Sequence, residues 1–137
     1  MKDILAAVTG EPLKPATVDE FVWSAEAGAV VSFHGIVRDH DGGRSVLSLD
    51  YRAHPQAETF LRQCCEEIAE ATGLQVAAQH RVGSLAIGDL ALIAAVAAPH
   101  RPEAFAACAN LVEIIKRRVP IWKRQHYAAG ATEWVGL

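Results

Sequence analysis

Five cationic side chains surround a short apolar segment near the C-terminal end of the chain, in the stretch IIKRRVPIWKRQH at residues 114–126. From His100 to His126 there are six Lys or Arg and two acids, whereas the rest of the chain has seven Lys or Arg and fourteen acids. Because the formal net charge of the whole chain is −3, this is a local basic region on an acidic protein. It predicts a specific anionic partner rather than general affinity for nucleic acid.

Lys116 is the cation that helical geometry places beside apolar residues. A helix is predicted over about 102–118, and Pro120 ends it because the residue before a proline avoids the helical region. At about 100° per residue, Lys116 falls within roughly 20° of Phe105. The same face carries Cys108, Ala109, Val112 and Ile115. A lysine withdrawn from water can act as acid, base or nucleophile. Alternatively, its aliphatic stem covers apolar surface while its ammonium reaches water. The sequence pattern is compatible with either arrangement of Lys116.

Lys123 lies beyond the end of this helix, in the segment VPIWK. Packing of residues 119–122 against the core would hold Lys123 in place, and an exposed tail lysine is the alternative. Trp122 is expected in the core or at an interface, and Arg124 is expected to face solvent.

Two other sites carry cations at predicted element boundaries. His100 and Arg101 stand where a buried strand passes into the helix, and a helix N-terminus favours anions; an ordinary loop pair is an equally good explanation. Arg38 ends an earlier strand just before a glycine turn, and pairing with Asp39 or Asp41 would account for it.

Cysteine and histidine spacing gives no sign of metal or disulfide chemistry. Cys64, Cys65 and Cys108 make an odd count without a C-x-x-C motif, and the six histidines are scattered without ligand spacing. The apolar runs are shorter than the ~18–20 residues of a membrane helix, and the N-terminus has acids where a signal peptide needs cations. We expect a protein of the reducing cytoplasm without a metal.

The length of 137 residues predicts one domain, residues 1–137. Patterning predicts a short helix opened by a capping box at Thr17–Glu20 and ended near Gly28, strands over 28–39, 45–51, 74–83 and 89–99, and helices over 55–73 and 102–118. Residues 40–44 and 83–89 are expected to be turns or bulged connections, and the residues after Pro120 a tail. In strand 45–51, Leu47, Leu49 and Tyr51 are expected on one buried face. The resulting fold class is α+β, with helices on one face of a largely antiparallel sheet.

Four motifs, taken in order, resemble the catalytic large subunit of molybdopterin synthase. They are GAVVSFHGIVRDHDGG (28–43), HRVGSLAIGD (80–89), APHRPEAF (98–105) and IKRRVPIWKRQ (115–125). The resemblance runs from about Gly28 to Trp134 and implies an α+β fold of the hammerhead type. It also implies a homodimer within a heterotetramer, in which a small ubiquitin-like carrier inserts a Gly-Gly thiocarboxylate terminus. The implied reaction transfers sulfur to cyclic pyranopterin monophosphate, giving the molybdopterin dithiolene without a cofactor or metal.

The resemblance also implies roles for single residues. Lys116 and Lys123 are the catalytic candidates, and Lys123 is also expected to contact the carrier terminus or the substrate. The remaining substrate-binding candidates are Phe33, Arg38, His100 and Arg101. Because members of this family are dimeric, some of these residues are expected to serve the partner's pocket. The chain departs from the family pattern at Gln125, where a glutamate is usual, so a carboxylate that would orient a lysine is replaced by an amide.

Two further function classes fit parts of the pattern. A scaffold that only binds a ubiquitin-like partner would share the docking surface but would not need a positioned Lys116. A nucleic-acid-binding module could use the basic region together with Trp122, although its cations stand mainly at one helix end on an acidic body. Substrate conversion separates the enzyme from the scaffold, and salt-dependent oligonucleotide binding would indicate the third class.

Overall fold

The computed structural model describes residues 3–137. Within that range the helices are α1 (Pro15–Val22), α2 (Ala57–Thr72) and α3 (Arg101–Arg118). The strands are β1 (Leu5–Thr9), β2 (Ala29–Ile36), β3 (His40–Asp41), β4 (Arg44–Ala53), β5 (Gln75–Arg81), β6 (Gly83–Ala86), β7 (Leu90–Ala98), β8 (Ile121–Tyr127) and β9 (Thr132–Gly136). The α+β class is confirmed, and β1, β3, β6, β8 and β9 go beyond the four predicted strands.

The strands form two sheets. The first has the order β1-β5-β7-β2, and its pairs are antiparallel apart from the parallel pair of β1 with β5. The second has the order β3-β4-β8-β9, with β6 also paired to β4, and its pairs are antiparallel. The prediction of a largely antiparallel arrangement is therefore confirmed.

Helices cover both faces of the first sheet. The main core holds α2 and α3 against one face, with Leu61, Leu111 and Ile115 fully buried in it. A smaller cluster on the other face packs Val18 and Val22 of α1 against the sheet. The expectation of helices on one face is wrong, because β5 and β7 carry apolar side chains on both sides, as strands between two layers do.

Helix α1 begins and ends earlier than the pattern predicts. It starts at Pro15, with Lys14 as the N-cap residue and no side-chain cap. A proline at the first helical position has its φ already set for a helix, so the predicted capping box at Thr17 is wrong. The helix ends at Val22, well before Gly28, whose N–H instead donates to the Ala98 carbonyl at 3.0 Å.

Strand β4 contains a bulge that changes which side chains are buried. Its pairing with β8 shifts register between Val46 and Ser48. Leu47 is therefore 62% exposed, and Val46 is buried on the inner face with Leu49 and Tyr51. The prediction for Leu47 is wrong, since one extra residue in a strand moves the following side chains to the other face.

The two long helices lie where proline and glycine predict them. Gly73 follows α2 with a φ of 72°, and its N–H donates to the Ala69 carbonyl at 2.7 Å, which is a left-handed helix cap. The buried face of α3 is rotated from the predicted one toward Ala104 and Leu111. Phe105, which was expected on that face, is 61% exposed, because α3 contacts both the sheet and α2 and its buried face lies between them.

Candidate active site at the end of helix α3

The junction between α3 and β8 fixes the two candidate lysines. Helix α3 ends at Arg118, and the Val119 N–H donates to the Ile115 carbonyl at 3.0 Å. Val119 and Ile121 are buried on either side of Pro120, so the chain passes directly from helix into strand. This anchor puts Lys116 on the last turn of α3 and Lys123 inside β8, and the expectation of an irregular tail is wrong.

Lys123 lies within the second sheet, opposite Tyr51 of β4 and Val135 of β9. It is only partly exposed. Burial lowers its pKa below the ordinary lysine value, the charges of Lys116 and Arg38 add to that effect, and Asp41 opposes it. A lysine in this setting exchanges its proton closer to neutral pH than an exposed one does.

Lys116 is exposed on the last turn of α3. Its charge contributes to the lowered pKa values of both Lys123 and His80, which links the three groups electrostatically. Withdrawal from water therefore affects Lys123 rather than Lys116. Among residues 3–137, neither lysine makes an ion pair with a carboxylate, which leaves both cations available to an incoming anion.

Arg38 reaches this site from the end of β2 through the turn that follows it. Its Nη2 donates to Asp41 Oδ1 at 3.1 Å, which is one of the pairings anticipated for it. Asp41 Oδ2 in turn accepts from the Gln125 amide at 2.6 Å. The turn at 40–44 is closed by Gly42 and Gly43, both with positive φ, and it brings Asp41 over the inner face of β8.

His80 is a buried member of the site whose role the sequence did not indicate. It is the last residue but one of β5 and is 2% exposed, and its ring and the Tyr51 ring form an edge-to-face pair with a centroid distance of 5.2 Å. Nδ1 lies 2.8 Å from the Arg81 carbonyl, so Nδ1 carries the hydrogen of a neutral ring. Burial lowers the pKa of His80 to about 4. The sequence shows His80 within the motif HRVGSL, but a histidine inside a predicted strand does not by itself indicate a functional site.

The other substrate-binding candidates lie away from the lysines within one chain. His100 is the N-cap residue of α3. Arg101 and Lys116 are fifteen residues apart on this helix, which corresponds to about 22 Å at the usual helical rise. Phe33 lies between them, on β2, where it lines an open groove of about 360 Å³ with Phe105 and Val112. The structure thus brings Arg38, Lys116 and Lys123 together and leaves His100 and Arg101 at the far end of the helix.

Two other cations of the basic region pair with carboxylates away from the lysines. Arg118 pairs with Glu67 of α2. Arg124 was expected to face solvent, but it pairs with Asp50 at 3.1 Å and lies 4.9 Å from the centre of the Trp134 ring. It is partly buried because it points from β8 onto the outer face of the second sheet. Trp122 is 43% exposed on that same face, so it does not pack in the core of the described chain.

The cysteines have no nucleophilic character in this structure. All three are buried with free thiols. Burial raises the pKa of Cys64, raises that of Cys65 to about 12 and raises that of Cys108 to about 11. Among residues 3–137, no three His, Cys, Asp or Glu side chains cluster as a metal site would need. In the same range, no helix is both long and apolar enough to cross a membrane.

A separate cavity of about 590 Å³ lies near the start of α3. Glu26, Glu103 and Gln75 line it, and within residues 3–137 its walls contain no Lys or Arg. Those walls do not favour an anionic ligand. The α3–β8 junction is therefore the part of the structure equipped for anion chemistry.

The fold and the site define an α+β protein that gathers cations, one of them half-buried, at the junction of α3 and β8. Comparisons with known proteins identify the family. A family model described as MoaE protein matches residues 8–118, and the chain belongs to this family. The chain is 43% identical over 133 residues to molybdopterin synthase catalytic subunit 1 of Mycobacterium tuberculosis, covering 94% of this chain and 88% of that protein.

Solved structures agree with this assignment. The crystal structure of molybdopterin synthase from Staphylococcus aureus matches with a TM-score of 0.89 at 37% identity, covering 97% of each chain. A complex of subunits 1 and 2 of the molybdopterin-converting factor from Helicobacter pylori matches with a TM-score of 0.70 at 19% identity, covering 97% of this chain and 87% of that one. At 19% identity, the match to the Helicobacter pylori complex shows that the fold is shared.

Proposed function

We propose that the protein is the catalytic subunit of a molybdopterin synthase. In this proposal it is a sulfurtransferase acting in molybdenum cofactor biosynthesis. It takes sulfur from the C-terminal thiocarboxylate of a small ubiquitin-like carrier and transfers it to cyclic pyranopterin monophosphate, forming the molybdopterin dithiolene. The observation that carries the proposal is the pair of lysines at the α3–β8 junction, one exposed and one half-buried, in a chain of the MoaE family.

The charge of the reactants explains why this reaction needs such a site. The substrate carries a phosphate and the carrier terminus carries a thiocarboxylate, so two anions must approach each other. Lys116, Lys123 and Arg38 provide three cations where they would meet. Charge-assisted hydrogen bonds from these groups reduce the repulsion and stabilise negative charge that develops at the reacting carbonyl.

The two lysines are suited to different parts of the reaction. In each transfer the sulfur gains a bond to a substrate carbon, and that carbon loses a bond to oxygen, which leaves with a proton. Water then cleaves the bond between the sulfur and the terminal acyl carbon of the carrier, so the sulfur stays on the substrate as a thiol and the carrier ends as a carboxylate. Lys123, whose pKa is lowered by burial, is suited to move the protons of these steps. Lys116 is exposed and is placed to contact the terminal carbonyl of an inserted carrier. Buried thiols with raised pKa values fit a reaction in which the carrier supplies the sulfur.

A homodimer would complete the site. His100 and Arg101 lie about 22 Å from Lys116 along α3, so within one protomer they cannot hold the same substrate. The edge strand β2 and the apolar groove that Phe33 and Phe105 line offer a surface on which a second copy could bring its own His100 and Arg101 to the lysines. In this proposal the dimer carries one carrier at each end, as a heterotetramer of single-domain chains (1–137) in the cytoplasm.

The two rival functions account for less of this geometry. A nucleic-acid surface needs free cations along a groove, but Arg118 and Arg124 are paired with carboxylates. A scaffold that only binds the carrier would not need a half-buried lysine beside an exposed one. Catalysis must therefore be measured directly.

A single-turnover assay tests the function. The purified protein is mixed with a Gly-Gly thiocarboxylate carrier and cyclic pyranopterin monophosphate, and molybdopterin is detected as its oxidised fluorescent derivative. We expect product with the wild-type protein and a loss of about 100-fold or more in Lys116→Ala, the usual size for removing a group that stabilises developing charge. Arg117→Ala is the matched control, since Arg117 is a neighbouring exposed cation of the same helix turn.

Each outcome has a defined meaning. If Lys116→Ala turns over at the wild-type rate, Lys116 is not a catalytic residue. Carrier binding without product in the wild-type protein would favour the scaffold, and absence of both would reject the proposed function. An unchanged melting temperature in Lys116→Ala would confirm that a loss of rate is not a loss of fold.

A further inference from the structure

Asp41 and Gln125 form a contact across the inner face of the second sheet that the proposed reaction does not yet use. Gln125 is 3% exposed, and its Nε2 donates to Asp41 Oδ2 at 2.6 Å and to the Tyr127 hydroxyl at 3.1 Å. A carboxylate can only accept, so the amide nitrogen must face it. Gln125 is thus held as a donor to Asp41, two residues along β8 from Lys123.

The same carboxylate engages the cations of the site. Its other oxygen, Oδ1, accepts from Arg38 Nη2 at 3.1 Å, and its charge is the one that raises the pKa of Lys123 against the effect of burial. The pKa of Asp41 is lowered, first by the bond from Gln125 and then by the charges of Lys123 and Arg38. One carboxylate therefore bonds to Arg38 and to a buried amide, and its charge acts on Lys123 without a direct ion pair.

We infer that Asp41 is the positioning carboxylate of this site. It fixes Arg38 and raises the pKa of Lys123, and the buried Gln125 amide holds it in that position. The role in catalysis rests on the proposed function, whereas the effect of Asp41 on Lys123 does not.

This contact makes a sharp demand on position 125. A glutamate there would place a second carboxylate about 2.6 Å from Asp41, and two carboxylates at such a distance must share a proton. Glu133 stands opposite position 125 on β9 as a third carboxylate, and its pairing with Arg44 at 3.6 Å offsets only part of its repulsion. Gln125→Glu should therefore be harmful while Asp41 is present and tolerated once Asp41 is neutral.

The test compares Asp41→Asn, Gln125→Glu and the double variant with the wild-type full chain. The first readout is an NMR titration of the Lys123 ammonium in isotopically labelled protein, which needs no substrate. We expect the pKa of Lys123 to fall in Asp41→Asn and to return toward the wild-type value in the double variant. Asp39→Asn is the matched control, because Asp39 lies two residues away and pairs with His40 rather than with Arg38.

The second readout is the single-turnover rate, with melting temperature measured in parallel. A rate loss of about tenfold is expected in each single variant and recovery to within about threefold of wild type in the double, the behaviour of directly coupled residues. An unchanged Lys123 titration in Asp41→Asn would overturn the inference, as would a double variant whose defect is the sum of the two single ones. If Gln125→Glu does not fold, the inference is judged by the pKa of Lys123 in Asp41→Asn alone. If the wild-type protein makes no product, the proposed function fails, and the titration still decides the effect of Asp41 on Lys123.

Discussion

Lowering the pH should destabilise this protein through His80, and the size of the effect follows from its burial. The ordinary histidine pKa of 6.5 falls to about 4 in the folded chain. Between these two values the unfolded chain binds a proton that the folded chain excludes. Stability is therefore intact above pH 6.5 and is lost as the pH falls toward 4. A lowering of this size corresponds to about 3 kcal/mol at the acid end of the window.

Burial is the main cause of the lowered pKa of His80, and the charge of Lys116 adds to it. The hydrogen bond between Nδ1 and the Arg81 carbonyl, at 2.8 Å, raises the pKa and so opposes these two effects. His80→Asn keeps a short amide that can donate to the Arg81 carbonyl, and it cannot titrate in this range. We expect the variant to be less stable than wild type at pH 7 by about 1–3 kcal/mol, since a buried ring is lost.

The assay is urea unfolding at a fixed protein concentration, from pH 7 to pH 4. The free energy of unfolding of wild type should fall relative to that of His80→Asn, approaching about 1.4 kcal/mol per pH unit. His34→Asn, at an exposed position of β2, keeps His80 and should follow wild type. A difference between wild type and His80→Asn that stays constant within about 1 kcal/mol across this range would refute the assignment. Stopping at pH 4 stays above the ordinary aspartate pKa of 3.8, so most of the stability that Asp50 provides through its lowered pKa of about 2 is retained.

Two other predictions concern the backbone and the assembly. Gly28→Ala should lower the free energy of unfolding, measured in urea, by roughly 1–3 kcal/mol, because the added Cβ would lie 2.4 Å from the Pro99 carbonyl oxygen. Gly10→Ala is the control and should have little effect, because the space around Gly10 is open. Equal losses of stability in the two variants would contradict the close approach at Gly28. Lys116→Ala and Arg101→Ala are each expected to be inactive, but mixing them should restore about 25% of wild-type turnover if each pocket takes Lys116 and Arg101 from different protomers. Half of the randomly formed dimers are then mixed, and each mixed dimer holds one intact pocket out of two. No recovery in subunits shown to exchange would place both residues in one protomer's pocket.

The long helices and the α+β class could be predicted because local chemistry determines them. Gly73 caps α2 and Pro120 follows α3, and each acts through its own backbone. The strands β8 and β9 could not be predicted in the same way. In β8 four polar residues stand in a row at 123–126, a pattern equally typical of an exposed tail. Pairing with β9 and with β4, about seventy residues earlier in the chain, makes this segment a strand.

The same distinction separates the parts of the candidate site. Lys116 and Lys123 could be singled out because a helix stop and a nearby tryptophan mark them locally. The half-buried state of Lys123 depends on its place between Tyr51 and Val135 in the sheet. The effect of Lys116 on the pKa of His80 and that of Asp41 on the pKa of Lys123 depend on segments that are distant in the sequence. Asp41 and Gln125 are 84 residues apart. A neutral residue at position 125 looks like a lost carboxylate in the sequence, but in the fold its amide is held against a carboxylate from a different strand. A substitution in one motif therefore has to be judged with the residue that it contacts, which for Gln125 lies in the glycine turn after β2.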